Sequence, residues 1–195
     1  IVAANKRANT LPFEEYIKLH SAARKRNVPF HFETNVGGGL PVINTIRKLI
    51  SGGDTILRIE AVLSGTLNWL LSEYDGNTPF SELVMIARER GYTEPDPRDD
   101  LSGVDFARKL IILGREMGLR LEMADVQVES LVPDALRELP IDEFLRQLSR
   151  HDDTMLQRLE DARSSGRVLR YVGRLDRSSG ATVRLEALAA DHPFA

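Results

Sequence analysis

The opening residues change hydrophobic periodicity twice, and this change restricts the fold more than any other feature of the sequence. Ile1–Ala4 is a short apolar run that stops at Asn5, as the end of a buried strand does. Residues 11–27 place apolar side chains at helical spacing after Pro12, and residues 28–34 again favour a strand. A strand, a helix and a second strand within this length predict a parallel crossover, which is half of a doubly wound sheet.

The rest of the chain alternates between helical spacing and strand-like alternation, which predicts the α/β class. Helices are predicted over residues 40–51, 66–76, 79–91 and 105–119, with two polar helices between 140 and 166. Strands are predicted over residues 56–62, 168–176 and 181–189. The last two strands flank a turn at Ser178–Gly180 and therefore predict a β-hairpin.

Composition and charge narrow the classes of partner. With 195 residues, the chain is long enough for one substantial core or for parts of two domains. A net charge of -3 gives no attraction to nucleic acid or to an anionic membrane, so small-molecule or protein partners are favoured. The absence of cysteine excludes disulfides and thiolate catalysis and suits a reducing cytosol. Because IVAANKRANT has neither an initiator Met nor a signal-peptide layout, we expect a piece of a longer protein.

Acidic residues are concentrated in the stretch GYTEPDPRDDLSGVDFARK, between Gly91 and Lys109. Pro95 and Pro97 stiffen this stretch before any ligand binds. Like charges this close repel one another unless solvent or a partner screens them. The stretch is therefore either a solvated acidic loop or a site that holds a cation. Its carboxylates are Glu94, Asp96, Asp99, Asp100 and Asp105.

Asp105 and Lys109 are four residues apart and share one face of the predicted helix. A surface ion pair of this kind contributes only about 0.3–0.5 kcal/mol. Ser102 and Asp105 also match a helix capping box, which is an equally good explanation of Asp105. The alternative is that Lys109 is a proton donor beside a carboxylate site for a cationic amino group.

Several segments together resemble one enzyme family. The acidic stretch from Ala87 onwards is similar to the signature of homoserine dehydrogenases, and AANK, ETNVGGGLP and LSGTLN resemble other segments of that family in the same order. LSRHDDTMLQRLEDARSSGRVLRYVG is most similar to the bifunctional aspartokinase/homoserine dehydrogenases. The resemblance implies interconversion of L-aspartate 4-semialdehyde and L-homoserine with NAD(P)H. It also implies a cytoplasmic, homodimeric or larger enzyme of threonine and methionine biosynthesis, with the kinase upstream of Ile1.

The resemblance also assigns catalytic and substrate-binding residues. Lys109 corresponds to the proton donor, Asp105 to the acid that orients it, and Glu94 to the homoserine-binding glutamate. Asp100 is expected to make a further polar contact with substrate. Lys6 corresponds to a lysine at the junction of cofactor and substrate, although a solvated lysine at a strand end would look the same.

Further positions match the cofactor and substrate surroundings. The resemblance places Asn5, Lys6 and Gly91 near the nicotinamide cofactor, and Tyr92, Gly65 and Thr66 near the substrate. Gly91 also fits a helix C-cap, and Thr66 also fits a helix N-cap.

The segment ETNVGGGLP is expected to bind a monovalent cation, most simply sodium. The resemblance assigns Glu33 and the backbone carbonyls of Val36, Gly38 and Leu40 as ligands. Oxygen ligands suit such a cation, and glycine allows carbonyl groups to converge. The chain contains no GxGxxG turn, so binding of dinucleotide phosphates by this segment is not expected.

These expectations give a complete prediction with two rivals. Residues 1–31 are the C-terminal part of a Rossmann-type NAD(P)-binding domain, and residues 32–195 form an α+β catalytic and dimerisation domain with a mixed sheet. Because the glycine-rich turn is missing, the 195 residues alone are expected to bind cofactor very weakly and to be inactive. The rivals are a dehydrogenase of another amino-acid semialdehyde and a non-catalytic dimerisation or cation-binding module of the same fold.

Overall fold

The computed structural model describes residues 1–195 as a mixture of helices and one sheet. The helices are α1 (Phe13–Lys25), α2 (Val42–Ser51), α3 (Gly65–Glu73), α4 (Phe80–Glu89), α5 (Arg98–Leu101), α6 (Val104–Glu116), α7 (Ile141–Leu148) and α8 (Asp152–Ser164). The strands are β1 (Arg58–Ala61), β2 (Val126–Val128), β3 (Arg167–Asp176) and β4 (Gly180–Ala189). The predicted α/β class is confirmed. No helix of the chain is both long and apolar enough to cross a membrane.

The sheet has four strands in the order β1-β3-β4-β2. β1 runs antiparallel to β3, with Ile59 opposite Leu175 and Ala61 opposite Gly173. β3 and β4 form the predicted hairpin, whose turn is held by Asp176, because its Oδ1 accepts the N–H groups of Ser178 and Ser179 at 2.8 and 3.1 Å. β2 was not predicted, since three residues are too short to show an alternating pattern.

The chain divides into two compact units. The first unit comprises Ile1–Leu63, Phe106–Gln127 and Gly173–Thr182, and the second comprises Ser64–Asp105, Val128–Val172 and Val183–Ala195. These units are not the two predicted domains, residues 1–31 and 32–195, which were defined by function. That division remains a prediction.

The core of the first unit forms around α6 and β3. Phe106 and Leu110 are fully buried there. A Cβ on Gly173 would lie 2.3 Å from the ring of Phe106, so only glycine lets β3 approach α6 this closely. α2 contributes Ile43 and Ile46, which are 1% and 6% exposed.

The core of the second unit lies among α3, α4, α7 and α8. Its buried side chains come from the apolar face of each helix: Leu67, Leu70, Leu71, Phe80, Leu83, Val84, Phe144, Leu148, Met155 and Leu159. Asp152 at the start of α8 accepts the backbone N–H and the hydroxyl of Ser81 at 2.8 and 2.7 Å. This contact satisfies a free N–H group at the N-terminus of α4.

The strand expected at Ile1–Ala4 is not buried in this chain. Ile1 and Val2 are exposed, and Val2 forms only an isolated parallel bridge with His31. The parallel direction agrees with the predicted crossover, but the pairing involves a single residue on each side. The second expected strand is also reduced to His31, because the chain enters a 3-10 turn at Glu33–Asn35. An apolar run becomes a buried strand only where neighbouring strands cover it.

Candidate active site

The acidic stretch begins with a glycine-terminated helix in the second unit. α4 ends at Glu89, and Gly91 adopts a φ of +70°, which L side chains rarely adopt. The N–H of Tyr92 donates to the carbonyl of Ala87 at 2.8 Å and closes the helix end. The predicted helix-ending role of Gly91 is confirmed, and this turn sets the direction in which Tyr92 and Glu94 leave the helix.

Four of the predicted substrate-binding residues meet after this turn. The carboxylate of Asp100, in α5, accepts the N–H of Glu94 at 2.8 Å. The hydroxyl of Thr66, in the first turn of α3, lies 2.9 Å from the other oxygen of Asp100 and 2.6 Å from the carbonyl oxygen of Tyr92. We call Thr66, Tyr92, Glu94 and Asp100 the clasp. The structure thus joins residues that are up to 34 positions apart in the sequence.

Thr66 is not the N-cap of α3, contrary to one of the two expectations for it. Ser64 takes that position, and its hydroxyl accepts the N–H of Leu67 at 3.2 Å. Gly65 is the first residue of the helix. Because Ser64 satisfies the helix end, the hydroxyl of Thr66 remains available for the Tyr92 turn.

Arg98 neutralises part of the acidic stretch. Its guanidinium group forms an ion pair with Asp96 at 2.6 Å and also donates to the carbonyls of Arg137 and Leu139 at 2.8 and 2.6 Å. The hydrogen bonds from Arg98 hold the pKa of the Asp96 carboxyl below its usual value. Asp96 is therefore a structural acid, whereas the side chains of Glu94 and Asp99 are exposed. Part of the stretch is therefore neutralised by Arg98 and part is exposed to solvent, and the binding of a cationic substrate group remains a prediction.

α6 carries the two remaining catalytic candidates. Asp105 is its second residue, and Lys109 follows one turn later. Within the first unit, the ammonium group of Lys109 donates to the carbonyl of Leu63 at 2.7 Å. The side chain of Lys109 is half-buried. This contact fixes the position of the ammonium nitrogen, as a proton donor requires.

In the first unit, the segment AANK is anchored by a buried amide. Asn35 is 1% exposed, and its side-chain N–H₂ donates to the carbonyls of Ala3 and Ala4, both at 2.9 Å. Asn5 caps the following 3-10 turn by accepting the N–H of Arg7 at 2.8 Å, and Lys6 is the first residue of that turn. Asn35 therefore fixes the backbone immediately before the two predicted cofactor-binding residues.

Asn35 belongs to a polar network that sequence reasoning missed. Asn9, which is 1% exposed, donates to Asn35 at 2.8 Å, and its amide oxygen lies 3.0 Å from Nε2 of His20. Arg115 donates to the backbone carbonyls of Asn9 and Leu121 at 2.9 and 2.8 Å. Burial lowers the pKa of His20. One indication of this network was present in the sequence, since Asn35 lies inside the family-like segment ETNVGGGLP. No motif or spacing in the sequence indicates that Asn9 and Arg115 belong to it.

The proposed cation loop has a second role in the same unit. The carboxylate of Glu33 accepts the N–H groups of Ile43 and Asn44 at 2.9 and 3.0 Å and so caps α2. No group of three or more His, Cys, Asp or Glu side chains in the chain is arranged to hold a metal ion. A cation here would rely on Glu33 and on backbone oxygens. Gly37 and Gly38 have φ angles of +79° and +60°, which L side chains rarely adopt, so the loop takes a bend that glycine permits.

Comparison with known proteins identifies the family. A family model described as homoserine dehydrogenase matches residues 41–195. The whole chain is 47% identical to a bifunctional aspartokinase/homoserine dehydrogenase 2 of Zea mays and spans 22% of that protein. It is 39% identical to a homoserine dehydrogenase of Schizosaccharomyces pombe, of which it spans 54%.

Solved structures share the fold. A crystal structure of a Candida auris protein described as of unknown function aligns with 98% of this chain at a TM-score of 0.91 and 36% identity, and the match covers 56% of that protein. A hyperthermophilic archaeal homoserine dehydrogenase in complex with NADPH aligns with 98% of the chain, and with 49% of its own, at a TM-score of 0.69 and 22% identity. On the match of the family model to residues 41–195, the chain belongs to the homoserine dehydrogenase family.

Proposed function

We propose that this chain supplies the substrate-binding and proton-transfer residues for the interconversion of L-aspartate 4-semialdehyde and L-homoserine. The observation that carries the proposal is the clasp, because a signature segment of the family is held by two helices around an exposed carboxylate, that of Glu94. A small-molecule substrate with an α-ammonium group suits such a carboxylate. The family membership makes the parent protein an oxidoreductase.

In the reductive direction, the carbonyl carbon of the semialdehyde gains a hydride and its oxygen gains a proton. When bound, NAD(P)H supplies the hydride. Lys109 donates its proton to the forming alkoxide, and Asp105, one turn earlier in α6, orients the lysine. Glu94 binds the substrate ammonium, while Tyr92, Gly65 and Thr66 line the substrate. Oxidation of homoserine reverses these transfers, with Lys109 accepting the proton.

Asn5, Lys6 and Gly91 are proposed to lie against the nicotinamide end of the cofactor. The anchoring of Ala3 and Ala4 by Asn35 supports this role for the adjacent Asn5 and Lys6, because a cofactor contact has to be held in one place. Glu33 and the carbonyls of Val36, Gly38 and Leu40 are proposed to hold a monovalent cation, most simply sodium. The capping of α2 by Glu33 means that such a cation would stabilise the loop and the helix together.

The proposed setting is a bifunctional aspartokinase/homoserine dehydrogenase of threonine and methionine biosynthesis, cytoplasmic and homodimeric or larger. The bifunctional relatives support the bifunctional part of this assignment. NAD(P) selectivity would depend on residues that read the ribose.

An absorbance assay at the reduced-nicotinamide band tests the proposal. The full-length enzyme should oxidise L-homoserine with NAD⁺ or NADP⁺, whereas this chain alone should turn over negligibly. Preference for another hydroxy-amino acid would support a dehydrogenase of a different semialdehyde. A full-length protein that assembles as a dimer and binds sodium but never oxidises homoserine would support the non-catalytic module.

A further inference from the structure

The clasp assigns an unexpected role to Asp100. We infer that Asp100 is a positioning residue, which holds the Glu94 turn in place, and that it does not bind the substrate by charge. The inference rests on the proposed function, in which Glu94 binds the substrate ammonium. It departs from the expectation that Asp100 contacts substrate directly.

The position of the Glu94 side chain depends on its backbone contacts. Its side chain is exposed and lies on a turn between two short helical segments, where a carboxylate would sample many positions. Pro95 restricts the backbone of Glu94, and the N–H of Glu94 is fixed by the carboxylate of Asp100 at 2.8 Å. A bond from backbone N–H to an ionised acceptor is among the stronger hydrogen bonds. Asp100 therefore sets where the Glu94 side chain begins.

Asp100 is itself next to helix α3, through the hydroxyl of Thr66. Its other oxygen lies 2.9 Å from the hydroxyl of Thr66, which itself lies 2.6 Å from the carbonyl of Tyr92. Thr66 belongs to the nine-residue helix α3. The next residue of that helix, Leu67, is buried. Asp100 thus joins the turn at Glu94 to a helix that is anchored in the core. Both of its oxygens lie within hydrogen-bond distance of a protein group.

The clasp contains more hydrogen-bond acceptors than donors around Thr66. The hydroxyl of Thr66 has a single hydrogen, yet both of its neighbours, the carbonyl of Tyr92 and the carboxylate of Asp100, are acceptors. An asparagine at position 100 would accept the N–H of Glu94 through its oxygen and donate to Thr66 through its N–H₂ group. The hydroxyl of Thr66 would then be free to donate to Tyr92. The clasp therefore tolerates, and even suits, a neutral amide at position 100.

Two substitutions at position 100 distinguish a positioning role of Asp100 from a role in binding the substrate ammonium. If Asp100 positions Glu94, Asp100→Asn keeps the clasp and Asp100→Ala breaks it. If Asp100 instead binds the substrate ammonium by charge, both variants lose that charge and both are impaired. Glu94→Gln is the reference for loss of the charged ligand itself.

The experiment measures KM and kcat for L-homoserine in the full-length enzyme and its three variants. We expect Asp100→Ala and Glu94→Gln to raise KM by roughly tenfold or more, the size of effect that misplaced binding groups produce. Asp100→Asn should stay within about threefold of the unmodified enzyme in KM and kcat, because its hydrogen bonds preserve the geometry. An Asp100→Asn enzyme as impaired as Asp100→Ala would overturn the inference.

A second measurement separates this inference from the proposed function. Hydrogen exchange of the Glu94 amide, followed in the same proteins, reports on the bond to Asp100 whether or not the enzyme turns over homoserine. Faster exchange in Asp100→Ala than in Asp100→Asn supports the clasp, and equal exchange in the two variants refutes it. Absence of homoserine turnover in the unmodified enzyme would instead refute the proposed function.

Discussion

The second unit fixes its predicted site residues with carboxylates, whereas the first unit fixes its own with amides and a guanidinium group. In the second unit, Asp100 holds the Glu94 turn and Asp96 holds Arg98. In the first unit, the segment before Lys6 is held by Asn35, which Asn9 supports. The proposed ligand for the substrate ammonium thus lies beside a second carboxylate, that of Asp100, whereas Lys6 follows a segment held by neutral amides and Lys109 donates to a neutral carbonyl.

The two units also differ in how much apolar surface they leave exposed. Nine of the twelve large apolar side chains that are exposed belong to the first unit: Ile1, Val2, Ile17, Val28, Leu40, Leu49, Ile50, Leu57 and Met123. The second unit exposes only Met85, Tyr92 and Val104. Exposed apolar area contributes no burial free energy. We therefore expect the second unit to hold its geometry largely by its own core and the first to be the less stable of the two.

The largest expected effect contrasts Lys109 of the first unit, the proposed proton donor, with Glu94 of the second unit, the proposed ligand of the substrate ammonium. Lys109→Ala in the full-length enzyme should lower kcat for homoserine by roughly 10²–10⁴-fold, the range for loss of a general acid, with a smaller effect on KM. Glu94→Gln should act mainly on KM. Steady-state kinetics measure both. Lys18→Ala, at an exposed position of α1, is the control. A Lys109→Ala enzyme that keeps most of its turnover would remove the lysine from the mechanism.

The next effect concerns packing of the second unit. A Cβ on Gly103 would lie 2.2 Å from the hydroxyl of the buried Tyr171, which donates to the carbonyl of Glu129 at 2.6 Å. Gly103 also has a φ of +72°. Gly103→Ala should therefore lower the free energy of unfolding by roughly 3 kcal/mol or more, from backbone strain and overpacking together.

Gly118→Ala in the first unit is the matched control for this glycine. Its φ is +82°, but nothing lies within 4 Å of the added Cβ. Strain alone should cost about 1–2 kcal/mol there. Urea unfolding of both variants measures the difference. Equal losses would mean that the Tyr171 contact relaxes freely and that the second unit is packed less tightly than its core indicates.

The sequence predicts most elements of both units, because helices and the hairpin follow from local periodicity. α2, α3, α4, α6 and the two polar helices all form where the spacing places them. Gly91 ends α4 as its position predicts. The acidic signature also identifies the segment that supplies Tyr92, Glu94 and Asp100 to the clasp. These features depend on residues that are close together in the sequence.

The contacts that give the site its geometry were not predictable in the same way. Thr66 meets Asp100 across 34 residues, Asn9 meets Asn35 across 26, and Arg98 reaches the carbonyl of Leu139 across 41. No periodicity encodes such a partner, since it depends on how the elements pack. Ile1 and Val2 were predicted to be buried but are exposed, for the same reason. Burial of a strand depends on neighbouring strands, which a local pattern does not show.

A smaller effect is expected at Glu33 of the first unit. Glu33 caps α2 through the N–H groups of Ile43 and Asn44, so Glu33→Ala should cost about 1 kcal/mol of unfolding free energy. It should also weaken any dependence of homoserine oxidation on sodium or potassium. Glu33→Gln keeps an acceptor oxygen for the helix and removes the charge, so it separates capping from cation binding. Activity of the unmodified enzyme that is indifferent to both ions would exclude the cation site.

The smallest effect is a difference in acid sensitivity between the two units. Burial lowers the pKa of His20 from its ordinary value of 6.5, with Arg47 and Arg24 acting in the same direction and Glu116 opposing them. Since the folded state then binds fewer protons than the unfolded state, stability associated with His20 is present above pH 6.5 and is lost as the pH falls through the folded pKa.

In the second unit, hydrogen bonds from Arg98 lower the pKa of Asp96 from its ordinary value of 3.8. The sign is the same as for His20, but the loss begins only below that value. As the solution is acidified, amides of the first unit should therefore lose protection from hydrogen exchange before those of the second. Hydrogen exchange of amides in α1 and α5 measures this order.

His20→Gln keeps an N–H donor for Asn9 and removes the titration of position 20, so the early loss of protection should disappear in that variant. His31→Gln, at an exposed position, should leave it unchanged. If α5 opens at a higher pH than α1, the order of stability inferred from the exposed apolar side chains is reversed.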